Sequence, residues 1–285
     1  MAIFTNQAIL SYRNGTVSSN VVTGEILETL SATKNSLLDT YSAGDTVTYV
    51  VSIFNSGATP VTGVNVTDDL GAYPFNGTTL VPLTYVDGSL NYYQNGVLQP
   101  TPSVSSGGTS LVVSDLTIPA NGYAQLIYQA KINEFAPLNV GGQIVNTATV
   151  VNGGESVTAQ ETITVNESPL LGINKAINPT TVTENGQLTY TFTIQNFGNT
   201  EAGVADALAV TDVFDPILDP ITVTLNGAPL TEGVGYNYDS ATGLFTTTAG
   251  TITVPAATIV QNPVTGEWNV TPGTAVLTVT GTVNA

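Results

Sequence analysis

Cysteine and histidine are absent from all 285 residues. That excludes disulfides, thiolate catalysis, zinc sites of the usual kind and imidazole general bases. Cations are nearly as scarce: four Lys+Arg stand against 21 Asp+Glu, for a net charge of −17. Nucleic acid and anionic membranes repel such a chain, whereas cations are drawn to it. No apolar run is long enough to span a membrane, and no basic-plus-apolar leader opens the chain. The expectation is therefore either a secretion signal already removed or export by another route. The chain has no G-x-S-x-G elbow, phosphate-binding glycine loop or dinucleotide fingerprint. Paired carboxylates such as Asp68-Asp69 suit a glycosidase only when they face each other, and neighbours on a strand point to opposite faces. The single Trp268 reads as core rather than as a sugar platform. No catalytic residue is assigned, and an enzyme is not expected.

What is present is a β-sheet vocabulary. The hydrophobic fraction is 42%, enough for two packed cores in a chain of this length. Thr, Val, Asn and Gly dominate, and apolar residues alternate with period two. Residues 46–54, 61–68, 111–116, 123–132 and 157–165 read as strands. Asn95-Gly96 and Asn226-Gly227 read as hairpin turns.

The chain repeats itself. Asp45-Thr46-Val47-Thr48-Tyr49 matches Gly186-Gln187-Leu188-Thr189-Tyr190, and Ile53-Phe54-Asn55-Ser56-Gly57 matches Ile194-Gln195-Asn196-Phe197-Gly198. Val66-Thr67-Asp68 matches Val210-Thr211-Asp212. Two antiparallel sheets packed face to face are the natural architecture for each copy. The expected fold is all-β: two tandem immunoglobulin-like β-sandwiches, residues 25–166 and 167–285, behind an N-terminal donor β-hairpin, residues 1–24.

The lysine strands (Thr33-Lys34, Asn174-Lys175), the N-x-G and V-T-D motifs and an Asn-x-Ala closing hairpin together resemble the bacterial and archaeal surface-repeat domain known as domain of unknown function 11. The resemblance covers nearly the whole chain, twice. It implies an immunoglobulin-like sandwich in extracellular or envelope proteins, and no catalytic residues. The departure from that pattern is a displaced hairpin.

Asn6-Gln7-Ala8-Ile9-Leu10, a turn at Arg13-Asn14-Gly15 and Val17 are echoed by Asn146-Thr147-Ala148-Thr149-Val150, a turn at Asn152-Gly153-Gly154 and Val157. The offset is constant (146 − 6 = 140; 157 − 17 = 140). The middle copy closes the first domain, and the second domain has no such closing copy after it. Phe4, Asn6, Ala8, Leu10 and Tyr12 share one parity on the first strand, and Val17 and Val21 point together on the second. Burying five large apolar side chains would contribute roughly 8–15 kcal/mol gross. Folding back into the chain's own second domain would require crossing roughly 40 Å with almost no linker. The expectation is donor-strand complementation of the next subunit, a heterologous contact that repeats into an open homopolymer. The readings in competition are a chain trimmed of a third domain, a closed ring or swapped dimer, and an ordinary edge hairpin.

The expected function is thus the structural subunit of a pilus-like appendage on a cell or spore surface, with itself as partner. The alternative is an adhesin or surface-layer binding module from a longer surface protein. Strand parity places Asp68, Asp69, Glu134 and Glu167 at one pole of the first domain and Asp212, Asp215 and Asp219 at the equivalent pole of the second. An incoming donor would add Glu25 and Glu28. Calcium, a hard ion taking six to eight oxygens, is the cofactor such acids suit. Finally, Lys34 and Lys175 lie on matching strands and Asn6 and Asn146 on closing strands. Amide cross-links in Gram-positive surface domains use such pairs, but no acid partner can be assigned from sequence.

Overall fold

The computed structural model describes residues 2–26 and 29–284. It is all-β, with immunoglobulin-like sandwich architecture and no α-helix among the described residues. Among the described residues no helix is long and apolar enough to cross a membrane. The chain forms two compact units, Met1–Ala136 with Gln143–Ile163, and Pro137–Gly142 with Thr164–Ala285.

The first unit begins with a ribbon. Strand β1 (Ala2–Asn6) pairs with β4 (Val22–Ile26), and β2 (Ile9–Tyr12) pairs with β3 (Gly15–Ser18). Ser19 stitches the two halves together: its N–H donates to the Ala8 carbonyl (2.9 Å) and its Oγ accepts from the Ala8 N–H (3.0 Å). Among the described residues these four strands pair only with one another.

The sandwich that follows is built from β5 (Leu30–Ser36), β6 (Thr40–Tyr41), β7 (Thr46–Asn55), β8 (Val61–Asp68), β9 (Tyr73–Phe75), β10 (Thr78–Leu80) and β11 (Leu83–Tyr85). It continues with β12 (Asn91–Gln94), β13 (Val97–Gln99), β14 (Ser103–Ser105), β15 (Leu111–Ile118), β16 (Gly122–Ile132), β17 (Gln143–Asn152) and β18 (Glu155–Val165). One sheet runs β13-β12-β16-β7-β5, with β11 also on β16; the other runs β14-β15-β8-β17-β18-β6. Alternation decides what faces inward. Val47, Tyr49, Val51 and Ile53 of β7 are buried, as are Ile144, Asn146, Ala148 and Val150 of β17. The Asn95-Gly96 turn has both residues at positive φ, 46° and 80°, the geometry a two-residue hairpin needs.

The second unit holds β19 (Leu171–Asn178), β20 (Gln187–Asn196), β21 (Thr211–Val213), β22 (Ile217–Leu225) and β23 (Ala228–Pro229). The remaining strands are β24 (Tyr236–Asp239), β25 (Leu244–Thr247), β26 (Thr258–Gln261), β27 (Trp268–Thr271) and β28 (Gly273–Asn284). Its large sheet runs β19-β20-β28-β22-β23, and β21-β25-β24 form a smaller one. Trp268 does not sit in the core as expected: it is half-buried on the separate β26–β27 ribbon, with its indole N–H unpartnered.

The repeat is visible atom by atom at two asparagines. Asn55 donates from Nδ2 to the Thr59 carbonyl (2.9 Å) and the Pro119 carbonyl (3.1 Å), and accepts from Gly57 N–H (2.9 Å). Asn196 donates to the Thr200 carbonyl (2.7 Å) and the Pro255 carbonyl (3.1 Å), and accepts from Gly198 N–H (2.9 Å). Strands β7 and β20, and β16 and β28, are thereby the same strands in two copies. The β26–β27 ribbon is an insertion between Pro255 and Gly273 that the first copy lacks.

Candidate functional site

The two copies differ in what covers them. In the first, β8 lies between β15 and β17: Asp68 faces Leu111 on one side and Ala148 on the other. In the second, Asp212 of β21 faces Phe245 of β25, and among the described residues nothing pairs with its other edge. A sheet edge left this way presents unpaired N–H and C=O groups.

The side chains beside that edge follow suit. Leu30 and Leu171 occupy the same register, opposite Asn55 and Asn196. Leu30 is 7% exposed and Leu171 is 42% exposed. Ile173 and Ile177 of β19 are likewise exposed. An apolar groove of about 190 Å³ runs between Leu171 and Ile173 on one wall and Leu208, Val210 and Ile252 on the other. In the first unit β17 packs against β5 at the corresponding place.

The N-terminal ribbon shows the converse. Phe4, Leu10, Tyr12, Val17 and Val21 are all exposed, as are Asn6 and Ala8. Leu10 is 68% exposed, whereas Val150, its counterpart on the closing hairpin, is 1% exposed. Both hairpins have two-residue connections, between Tyr12 and Gly15 and between Asn152 and Glu155, although Gly153 takes a positive φ (59°) and neither Arg13 nor Asn14 does. Phe4 lies over Gly24, where a Cβ would come within 2.3 Å of the ring. This leaves the aromatic on one face of the ribbon.

Between the sheets of the first unit lies a polar cluster. Lys34 Nζ and the Tyr128 hydroxyl each donate to Asp68 Oδ2 at 2.5 Å. The side chain of Lys34 is fully buried and that of Asp68 nearly so. Asp68 Oδ1 accepts from the Leu70 N–H at 3.0 Å. Asn146, fully buried on β17, donates from Nδ2 to the Tyr128 hydroxyl at 3.5 Å, while its Oδ1 has no hydrogen-bond partner. The Tyr49 hydroxyl beside it is also unpartnered. Desolvation lowers the pKa of Lys34, with the Asp68 carboxylate opposing. Burial, reinforced by the Asp68 charge, raises Tyr128 well above its ordinary range.

The second unit carries part of the same arrangement. Lys175 Nζ lies 2.5 Å from Asp212 Oδ2 and 4.2 Å above the Tyr190 ring. Lys34 stands over Tyr49 in the same way, at 5.0 Å. Here the lysine side chain is 41% exposed. Val279 faces Tyr190 where Tyr128 faces Tyr49, so the second hydroxyl is missing.

The acids do not gather as strand parity suggested. Among the described residues no three carboxylates form a group able to hold a metal ion. Asp68 is drawn inward by Lys34, and Asp212 by Lys175. Asp69 accepts from the Gly71 and Thr147 N–H groups, each at 2.9 Å, and Glu167 accepts from Gly141 N–H at 2.8 Å. Glu134, Asp215 and Asp219 are exposed. Glu25 lies on β4, and Glu28 falls outside the described residues.

No family model matches the chain, so the resemblance to domain of unknown function 11 rests on the quoted motifs alone. No curated protein matches it either. Among solved structures it is similar to the major pilin BcpA of Bacillus cereus in its D312A form (TM-score 0.37, 12% identity, 94% of this chain and 73% of that one). It is similar to the pilus backbone RrgB of Streptococcus pneumoniae (TM-score 0.36, 12% identity, 86% of this chain), of which it spans 55%. A family 123 glycoside hydrolase from Clostridium perfringens is also similar over 48% of this chain (TM-score 0.31, 15% identity, 27% of that chain). Superpositions this loose carry no functional argument, and sandwiches serve many functions.

Proposed function

We propose that the chain is the repeating subunit of an extracellular filament. In this reading, the β1–β4 ribbon of one subunit enters the open side of the second unit of the next. Its first strand pairs with the free edge of β21, as β17 pairs with β8, and Phe4, Ala8 and Leu10 fill the groove beside Leu171 and Ile173. The observation that carries the reading is the matched exposure: the ribbon and the groove are both apolar and open, and their counterparts in the first unit are buried against each other. The contact is heterologous and open-ended, so it propagates. Strand addition of this kind takes affinity from the backbone ladder and specificity from alternate side chains.

Electron microscopy of the purified chain, with and without residues 1–24, tests this. The full chain is expected to form fibres one subunit wide, and the deleted chain to remain single particles. Fibres that survive the deletion would sink the reading. A segment following residue 285 that fills the groove instead would leave both samples monomeric. The same preparations with calcium and with a chelator test the expected ion dependence, whose ligands would then have to come together from two subunits.

A further inference from the structure

We propose that a β-bulge at Asn20 and Val21 sets which face of the N-terminal ribbon docks into the neighbouring subunit, so that Val22, not Val21, enters the groove with Phe4, Ala8 and Leu10. The inference rests on the assembly proposed above and specifies its contact surface.

The ribbon and the closing hairpin of the first unit leave their turns alike and then part. In the closing hairpin Asn152 and Glu155 flank the turn, and at the far end the Val165 N–H donates to the Gly142 carbonyl at 2.8 Å. Each strand takes ten steps between those pairs (165 − 155 = 10; 152 − 142 = 10), so its register is the same at both ends. In the ribbon Tyr12 faces Gly15, and further on Asn6 faces Val22. The first strand takes six steps between those pairs (12 − 6 = 6) and the second takes seven (22 − 15 = 7). The second strand therefore carries one extra residue.

Hydrogen bonds locate it. The Ser19 N–H donates to the Ala8 carbonyl, so Ser19 still faces Ala8 in the register of the turn end. The return bond of that pair is replaced. The Ala8 N–H goes to Ser19 Oγ, and the Ser19 carbonyl accepts from Gln7 Nε2 at 2.8 Å. Ser19 Oγ in turn donates to the Asn20 carbonyl at 2.8 Å. Between the Ala8–Ser19 and Asn6–Val22 pairs, Asn20 and Val21 stand against Gln7 alone, the two-against-one count of a bulge.

Side chains alternate along a strand, so one extra residue exchanges the faces of everything beyond it. The exchange matters because the first strand is apolar on both sides: Phe4 and Leu10 on one, Ile3 and Ile9 on the other, all exposed. At the turn end Val17 faces Leu10 and shares its side. A ribbon without the bulge would continue that side through Val21 and Thr23. With it, the side continues through Val22 and Gly24, which face Asn6 and Phe4. The regular alternation that would carry Val17 on to Val21 is broken. The net effect is to put glycine where threonine would stand opposite Phe4. The Phe4 ring lies over Gly24, and any Cβ there would come within 2.3 Å of it. The shifted register is thus the one that lets the aromatic rest on the docking face. Bulges pin register in this way where a free ribbon could slip.

The chain has no cysteine, so single cysteines report position without background. Val21 and Val22 are each 55% exposed in the isolated chain, and Val21→Cys and Val22→Cys are both expected to react with a maleimide there. In assembled fibres Val22→Cys is expected to lose its reactivity while Val21→Cys keeps it. Protection of Val21→Cys alone, or equal reactivity of the two, would overturn the bulge as the determinant of the docking face and leave the assembly reading intact. Deletion of Asn20 gives the ribbon the register of the closing hairpin. The deleted chain is expected to melt as the wild type does and to lose fibre formation. Fibres from it at the wild-type rate would likewise overturn the inference alone. Wild-type chain that forms no fibres would overturn the assembly reading and this inference with it.

Discussion

Leu30 and Leu171 hold the same register opposite Asn55 and Asn196, yet the first is buried and the second lies open to solvent. One sequence position thus reports on the cover it receives. Leu30→Ala is expected to destabilise the isolated chain by about 2–4 kcal/mol, through lost transfer energy and a cavity. Leu171→Ala is expected to cost the isolated chain less than about 1 kcal/mol, because little area is lost there. In fibres the order of insensitivity should end: Leu171→Ala should lower the denaturant midpoint for disassembly. Equal effects of the two substitutions on the isolated chain would mean that the second unit is covered in solution.

The asparagine pair makes the opposite prediction. Asn55 and Asn196 are both buried and make the same bonds to a following carbonyl, a distant proline carbonyl and a glycine N–H. Alanine at either site strands these partners, at a cost on the order of 2–3 kcal/mol. Denaturant melts of the two variants are expected to differ by no more than about 1 kcal/mol, with Asn196→Ala the costlier, since Asn196 Oδ1 also accepts from the Leu170 N–H (3.0 Å).

The ribbon should be separable from both sandwiches. Phe4→Ser and Leu10→Ser remove apolar area that is already exposed, so the melting of the isolated chain should move little. Assembly followed by light scattering should slow strongly or stop, because that area is what the groove would bury. Gly24→Val drives a side chain into the Phe4 ring and should act the same way. A large loss of monomer stability in any of these would show that the ribbon packs against its own chain.

Much of this was legible from residue pattern. Strands with clean alternation, such as Val61–Asp68, were bounded correctly because one side of each faces a core. The Asn-Gly turns were legible because positive φ at two successive residues admits few side chains. The role of Asp68 was not. Strand parity suggested a pole shared with Asp69, Glu134 and Glu167, whereas the side chain lies inward against Lys34 on the opposing sheet. Contacts between facing sheets join residues far apart in sequence, and alternation says only that a side chain points inward. The available clue was that a lysine and a V-T-D aspartate recur together in both copies. The β26–β27 ribbon was not legible either, because the quoted repeats end at Asp212 and the insertion between Pro255 and Gly273 has alternation of its own.

Burial of Lys34 has a pH signature. Its folded pKa lies below the ordinary 10.5 through desolvation, with the Asp68 carboxylate opposing. The unfolded chain then binds more protons than the folded one between those two values, so stability rises with pH across that window. Tyr128 acts in the other direction. Its folded pKa is raised above the ordinary 10.0 by burial and by Asp68, so above that pH the unfolded chain ionises first and stability falls. The chain is therefore expected to gain stability up to about pH 10 and lose it beyond. In Lys34→Met the rise should vanish, and only the fall attributable to buried tyrosine should persist. Denaturant melts of both proteins from roughly pH 7 to 11 isolate the lysine contribution as their difference. A parallel pH course in the two would mean that Lys34 titrates alike in the folded and unfolded chains.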